Sequence, residues 1–219
     1  MKSDWRVYGK KADFKRLADK YSIDQVIARI IRNRDICGDS DIDMYLNGDI
    51  KDMHAPKDMK DAVVSVDIIE KKIKEKCRIR IIGDYDIDGI CSIYILYKGL
   101  LAAGADVDYV VPHRINDGYG INEHLIDNAL SDGIDTIITC DNGISAYNQV
   151  KYAKDNGMTV IVTDHHDVPF DMIDGEKKSI VYHQQMLLLI PNRSHVNTLL
   201  SCYVEQALHT SLYAFFMKE

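Results

Sequence analysis

Three short strings hold most of the residues in this chain that can do chemistry: Asp84-Tyr85-Asp86-Ile87-Asp88-Gly89, Asp141-Asn142-Gly143 and Asp164-His165-His166-Asp167. Carboxylates mixed with imidazoles, and no thiolate among them, suit Mn2+ or Mg2+ rather than structural zinc. Brought to one place, three anionic clusters would repel one another unless cations lay between them. The residue types therefore point to a divalent metal site. The first string also begins like a calcium-binding EF-hand loop, D-x-D-x-D-G. That loop needs a bidentate Glu at its twelfth position, here Ile95, and a helix before it where this sequence has a β-branched run, so the EF-hand reading fails. A plainer alternative has Asp84, Asp86 and Asp88 solvating a turn and capping the next helix. Two further clusters at matching places favour the metal. The histidines have a plain alternative too, as hydrogen-bonded core residues. Adjacent side chains on a strand point opposite ways, so His165 and His166 reach one site only where the chain is already turning.

The elements that must position these strings are legible in the hydrophobic pattern. Four β-branched runs, RIRIIG (78–83), VDYVV (107–111), DTIIT (135–139) and MTVIVT (158–163), alternate with stretches long enough for two or three helical turns. Strands spaced by such helices imply right-handed βαβ crossovers, and hence an α/β fold: a parallel β-sheet with helices on both faces. The three chemical strings follow three of the strands, at the carboxyl edge where open α/β sheets bind ligands. Before the sheet, an N-terminal helical segment is expected. Phe14, Leu17, Ala18 and Tyr21, then Val26, Ile27, Ile30 and Ile31, recur at three- and four-residue steps, and Ser22 with Gln25 forms a capping-box pattern. Arg29, Arg32 and Arg34 give these helices a basic outer face, read as solvated or as a contact for a polyanion. Residues 40–60 are polar and turn-rich, a connector, and a further helix is predicted over about 59–76.

Composition sets the bounds. The chain has 219 residues, 46% hydrophobic and 28% charged, enough to bury a core and to exclude wholesale disorder. Its net charge of −7 is concentrated: residues 81–175 carry 16 acidic against 4 basic side chains. Cys37, Cys77, Cys91, Cys140 and Cys202 are odd in number and show no C-x-x-C spacing, so they read as reduced thiols in a cytoplasmic protein. The N-terminus has no apolar signal region, and secretion and membrane spanning are not expected.

The strings GDYDIDG, DNG and TDHH, in this order and spacing, resemble motifs I, II and III of the DHH phosphoesterase family. Within it, the first motif, PHRINDGYGIN (112–122) and the leading W-x-V and IARIIRNRDI segments are most similar to the RecJ-like, single-strand-specific 5′→3′ DNA exonucleases of repair and recombination. The resemblance spans roughly residues 5–175. It implies a hydrolase with two Mn2+ or Mg2+ ions. Asp86 and Asp88, helped by Asp84, would hold metal from the first strand, Asp141 would bridge both ions, and His165 would be a further ligand. His166 would bind substrate phosphate or polarise the leaving group, with Asp164 orienting the pair. Arg114 and Tyr119 are the candidate contacts to single-stranded DNA, phosphate for Arg114 and a stacked base for Tyr119; an ordinary glycine-flanked turn is the alternative.

Three segments follow: 1–60, N-terminal helices and connector; 61–180, a DHH phosphoesterase domain, incomplete; and 181–219, an atypical tail. After about residue 180 the strand–helix rhythm is expected to stop. A fourth metal-binding Asp, a C-G-A-G-x-A-like segment and a DHH-associated domain, which the resemblance implies, are missing in this frame. Codons can be chosen for Tyr203 to Tyr213 such that a neighbouring frame reads Leu-Cys-Gly-Ala-Gly-Ile-Ala-Tyr-Lys-Leu-Ile, so the tail is read as frameshifted, with a divergent native terminus as the alternative. Three functions are carried forward: a RecJ-type exonuclease, another DHH hydrolase acting on oligoribonucleotides or cyclic dinucleotides, and an inactive metal- or DNA-binding fragment.

Overall fold

The computed structural model describes residues 9–49, 52, 61–166, 169–173, 176–179 and 187–189. The chain divides into two compact units, residues 1–54 and 55–219.

In the first unit lie α1 (Phe14–Tyr21), α2 (Gln25–Asn33) and α3 (Asp39–Asn47), closed around Leu17, Ala28, Ile31, Ile36 and Ile42. Three expectations are corrected here. Ser22 does not start α2. It ends α1 in the left-handed conformation (φ 54°), and the cap is Asp24, whose Oδ1 accepts the Val26 N–H at 2.7 Å. A carboxylate at the positive end of a helix is the stronger cap once the tight α1–α2 turn has taken Ser22. The polar stretch read as a connector from residue 40 contains most of α3, whose single buried side chain, Ile42, leaves almost no periodic signal. The predicted apolar face of α2 also shifts. Ile31 is buried together with Ala28, whereas Val26, Ile27 and Ile30 are 61%, 41% and 38% exposed. Among the arginines, Arg29 lies over the Phe14 ring and Arg32 pairs with Asp35 at 3.5 Å.

The second unit begins with α4 (Ala62–Lys74), where the sequence predicts a helix, and continues β1 (Arg78–Ile82), α5 (Ile87–Ala102), β2 (Asp106–Val110), α6 (Glu123–Ser131), β3 (Thr136–Cys140), α7 (Tyr147–Asp155) and β4 (Thr159–Thr163). The strands form one parallel sheet in the order β2-β1-β3-β4, extended beside β4 by a short fifth strand (Leu187–Leu189), which is β7 in chain order. The backbone of β5 (Phe170–Ile173) and β6 (Glu176–Ser179) forms a separate antiparallel pair. Strand side chains alternate between two apolar layers. Ile79, Ile81, Ile138 and Ile161 pack with α4 and α5 through Val66, Ile69, Ile93, Leu96 and Leu100. Ile82, Ile137, Val160 and Val162 pack with α6 and α7 through Leu125, Ile126, Ala129, Val150 and Ala153. Runs buried on both faces read as continuous hydrophobic strands, which is why RIRII, TIITC and TVIVT are recognisable. Of the stretch after residue 180, the described part is β7; its other residues, and the codon-based reading of Tyr203 to Tyr213, lie outside the described residues.

Candidate metal centre

Three strand ends on one edge of the sheet build the site. After β1 the chain makes a tight turn that two glycines permit. A Cβ on Gly83 would lie 2.3 Å from Ile93 Cδ1, and a Cβ on Gly89 would lie 2.6 Å from the Asp84 carbonyl oxygen, so the first turn of α5 rests directly on the Asp84 backbone. Asp86 is the N-cap of α5, its Oδ1 accepting the N–H groups of Asp88 and Gly89 at 2.9 and 3.0 Å. Capping and metal binding are compatible, since one carboxylate oxygen remains for a cation.

After β3, Asp141 takes the left-handed conformation (φ 61°), and Gly143 follows at φ 108°, where a Cβ would meet Thr139 Oγ1 at 2.7 Å. Asn142 is wholly buried and fully engaged. Its Nδ2 donates to the carbonyls of Ile82 and Cys140, at 3.0 and 2.8 Å, and its Oδ1 accepts the Ile121 N–H at 3.1 Å. One side chain thus fixes the spacing between the ends of β1 and β3 and the loop before α6. After β4, Asp164 is buried and accepts from Ile144 N–H at 2.9 Å, from His166 N–H at 3.0 Å and from His166 Nδ1 at 2.7 Å. The chain has turned by this point, and both imidazoles face Asp141: His165 Nε2 is 3.2 Å and His166 Nδ1 3.9 Å from its Oδ1.

Ligand atoms of Asp84, Asp86 and Asp141 lie within 4.8 Å of one another, and so do those of Asp141, His165 and His166. Asp141 belongs to both groups. Asp88 belongs to neither group as the atoms stand: it sits in the first turn of α5 with its N–H on Asp86.

The electrostatics suit a divalent cation. Asp84 is 3% exposed, and its Oδ1 has no hydrogen-bond partner. Burial pushes its carboxyl above the usual range, and the neighbouring Asp86 and Asp141 carboxylates add to the rise. Among the described residues, no Lys or Arg pairs with Asp84, Asp86 or Asp141. A buried carboxylate oxygen without a donor, beside two more carboxylates, is what a hard divalent cation would satisfy. Around His166 the balance differs. The hydrogen bond to Asp164 raises the imidazole, against the effect of burial. Burial pushes Asp164 upward, but the hydrogen bonds from His166 and from the Ile144 N–H outweigh it and hold the carboxyl below its ordinary value. With Asp164 ionised and accepting, the proton sits on His166 Nδ1, and Nε2 faces the Tyr119 hydroxyl at 3.5 Å.

Arg114 and Tyr119 lie beside this edge. The Arg114 guanidinium is 5.0 Å over the Tyr85 ring, Tyr85 meets Tyr119 edge-on at 6.5 Å, and Tyr119 meets His166 edge-on at 6.1 Å. Sequence reasoning missed Tyr85 as a platform for Arg114 and Asn142 as the tie between strands. It also missed that the Tyr119 hydroxyl donates to the Asp141 carbonyl at 2.9 Å. The Tyr inside D-Y-D-I-D and the polar residue after Asp141 were the only signals.

Comparison with known proteins agrees with this architecture. Residues 78–202 match the DHH family, N-terminal domain. The single-stranded-DNA-specific exonuclease RecJ of Bacillus subtilis (strain 168) is 31% identical over 185 residues, 84% of this chain and 23% of that protein. RecJ of Salmonella typhimurium is 36% identical over 149 residues, 68% of this chain and 26% of the relative. The chain therefore spans about a quarter of the length of these relatives. A crystal structure of exonuclease RecJ bound to manganese superimposes with a TM-score of 0.57 at 29% identity, covering 73% of this chain and 39% of that one. RecJ from Thermus thermophilus in complex with Mn2+ shares the fold at a TM-score of 0.60 and 23% identity, over 96% of this chain and 28% of that one. With the family match covering more than half of its residues and the three motifs converging on one sheet edge, this chain belongs to the DHH family.

Proposed function

We propose that this chain carries the metal-binding core of a RecJ-like phosphodiesterase, which uses two Mn2+ or Mg2+ ions to hydrolyse single-stranded DNA in repair and recombination, with the 5′→3′ polarity that the resemblance implies. The observation that carries the reading is Asp141, a buried carboxylate common to both ligand groups, as a residue shared by two ions must be. Asp84 and Asp86 would complete one ion's protein ligands and His165 the other's. Paired cations lower the pKa of a shared water and offset charge growing on phosphoryl oxygens. The chain's own residues do the rest. Asp164 holds His166 with its proton on Nδ1, so that the ring is oriented for a substrate phosphate or leaving oxygen. Arg114, on the Tyr85 ring, offers a charge for phosphate, and the half-exposed Tyr119 face offers a surface for a base.

The names of the relatives and the manganese in a related structure support both substrate class and metal. A cytoplasmic setting accords with the absence of any disulfide among the described residues; none of their helices is long and apolar enough to cross a membrane. The test is digestion of 5′-labelled single-stranded DNA with and without Mn2+, alongside Asp141→Ala. Metal-dependent release of nucleotides, abolished by the substitution, is the expected result, and cleavage indifferent to Asp141 would sink the assignment. Mn2+ binding without cleavage would support the second reading, a fragment that holds metal without turnover. Cleavage of short oligoribonucleotides or cyclic dinucleotides in preference to DNA would move the chain to another branch of the family.

A further inference from the structure

Asp141 is held in a backbone conformation that side-chain-bearing residues rarely adopt, φ 61°, and at that peptide the only side-chain donor among the described residues is Tyr119. The Tyr119 hydroxyl donates to the Asp141 carbonyl at 2.9 Å and lies 3.5 Å from His166 Nε2. It therefore touches the ends of both β3 and β4. Gly120 (φ 66°) lets the chain after Tyr119 pass against Asn142, where a Cβ would come within 3.1 Å of the Asn142 Cβ, and Ile121 N–H then binds the Asn142 side chain. The loop carrying Tyr119 is thus fixed to the residue next to Asp141, which makes the hydroxyl a rigid prop rather than a mobile contact.

Resting on the two-metal reading, we infer that Tyr119 is a positioning residue for the shared carboxylate: its hydroxyl locks the Asp141 peptide in the left-handed conformation that aims the carboxylate between the two ligand groups. This is separate from the role its ring would play against a base. Tyr119→Phe removes the hydroxyl and keeps the ring; Tyr119→Leu removes both.

The experiment is Mn2+ titration of the full chain, followed by the electron paramagnetic resonance signal of free Mn2+, paired with kcat and KM on single-stranded DNA at saturating Mn2+. Tyr119→Phe is expected to weaken Mn2+ binding about 10-fold, the scale of losing a group that orients a metal ligand. The unfolding midpoint in chelator should fall by no more than the loss of one hydrogen bond explains, and Tyr119→Leu should raise KM for DNA above that of Tyr119→Phe. Equal Mn2+ affinity of Tyr119→Phe and wild type overturns the inference, as does a lower midpoint in chelator that accounts for the weaker binding. A wild-type chain that binds no Mn2+ would instead overturn the two-metal reading itself, and this inference with it.

Discussion

Asp84 and Asp141 rise from the ends of adjacent strands, β1 and β3, are 3% and 2% exposed, and bring carboxylate oxygens within 4.8 Å of each other with no basic side chain paired to either Asp84 or Asp86 among the described residues. Two buried like charges at this range oppose folding unless something positive joins them. Asp84→Asn is therefore expected to act in opposite directions with and without metal. In chelator the variant should be more stable than wild type by about 1 kcal/mol, because a desolvated charge has gone. With Mn2+ added, the wild-type melting temperature should rise by binding linkage and the variant's should not. Differential scanning fluorimetry in both conditions decides it, and a variant less stable than wild type in chelator would show that the Asp84 charge is already compensated.

Gly89 is the tightest backbone contact of the site, a Cβ there falling 2.6 to 2.7 Å from the Asp84 O, C and N atoms. Because Gly89 is in the first turns of α5, helix propensity alone predicts that Gly89→Ala gains about 1 kcal/mol. Steric displacement of α5 from the Asp84 turn predicts the reverse, a loss of about 1–3 kcal/mol. The urea midpoint should fall and Mn2+ affinity with it, since Asp84 and Asp86 flank the displaced segment. A gain in stability would mean that the turn has room to relax.

The same residues show where the sequence was informative. Strands buried on both faces are written as uninterrupted Ile and Val, and the chemistry after each strand is written in residue types, so the sheet and the Asp84, Asp86, Asp141, His165 and His166 convergence were legible. Asp86 and Asp88 are alike by type, and only the start of α5 gives them different places, Asp86 as the N-cap and Asp88 in the first turn with its N–H on Asp86. Asn142 and the Tyr119 hydroxyl act through backbone groups of Ile82, Cys140, Ile121 and Asp141, and backbone partners leave no mark in sequence. α3 was hidden for a related reason, a nine-residue helix with one buried side chain having no period to detect.

Lys72 on α4 reaches Asp135, just before β3, at 2.6 Å, and Asp135 also accepts from Thr136 Oγ1 at 2.6 Å. Burial raises the Asp135 carboxyl, but these partners outweigh it and leave it below its ordinary value. An acid depressed in the folded state adds stability above its unfolded pKa and loses it as pH falls through the folded value. Asp135→Asn should thus be less stable than wild type at pH 7, by about 1 kcal/mol or less for a half-buried pair that water still reaches. The gap should close below about pH 4, the ordinary carboxylate range. Urea melts from pH 7 down to pH 3 test this, and a gap unchanged with pH would assign the loss to geometry rather than charge.

Arg80 of β1 is buried, whereas its partners are not: it is bidentate to Asp108 of β2 at 2.6 and 2.7 Å and reaches Asp132 after α6 at 3.0 Å, with side-chain exposures of 8% for the arginine against 36% and 53% for the acids. This asymmetry fixes the order of mutational costs. Removing Asp108 leaves a buried guanidinium with one partner, and an under-compensated buried charge is the expensive outcome, about 3 kcal/mol. Arg80→Met removes the buried charge itself, keeps most of the side-chain volume, and leaves two carboxylates that water reaches. Its cost should be about 1 kcal/mol, the stem's packing being retained. Asp108→Ala is thus expected to lower the urea midpoint more than Arg80→Met, and the double variant should resemble Arg80→Met alone, because the acid then keeps only a long, solvent-exposed pairing with Arg78 at 3.7 Å. If Arg80→Met proves the costlier change, the guanidinium is contributing through its fork of hydrogen bonds between β1, β2 and the end of α6, and Arg80→Lys, which keeps the charge and loses the fork, should then be as damaging.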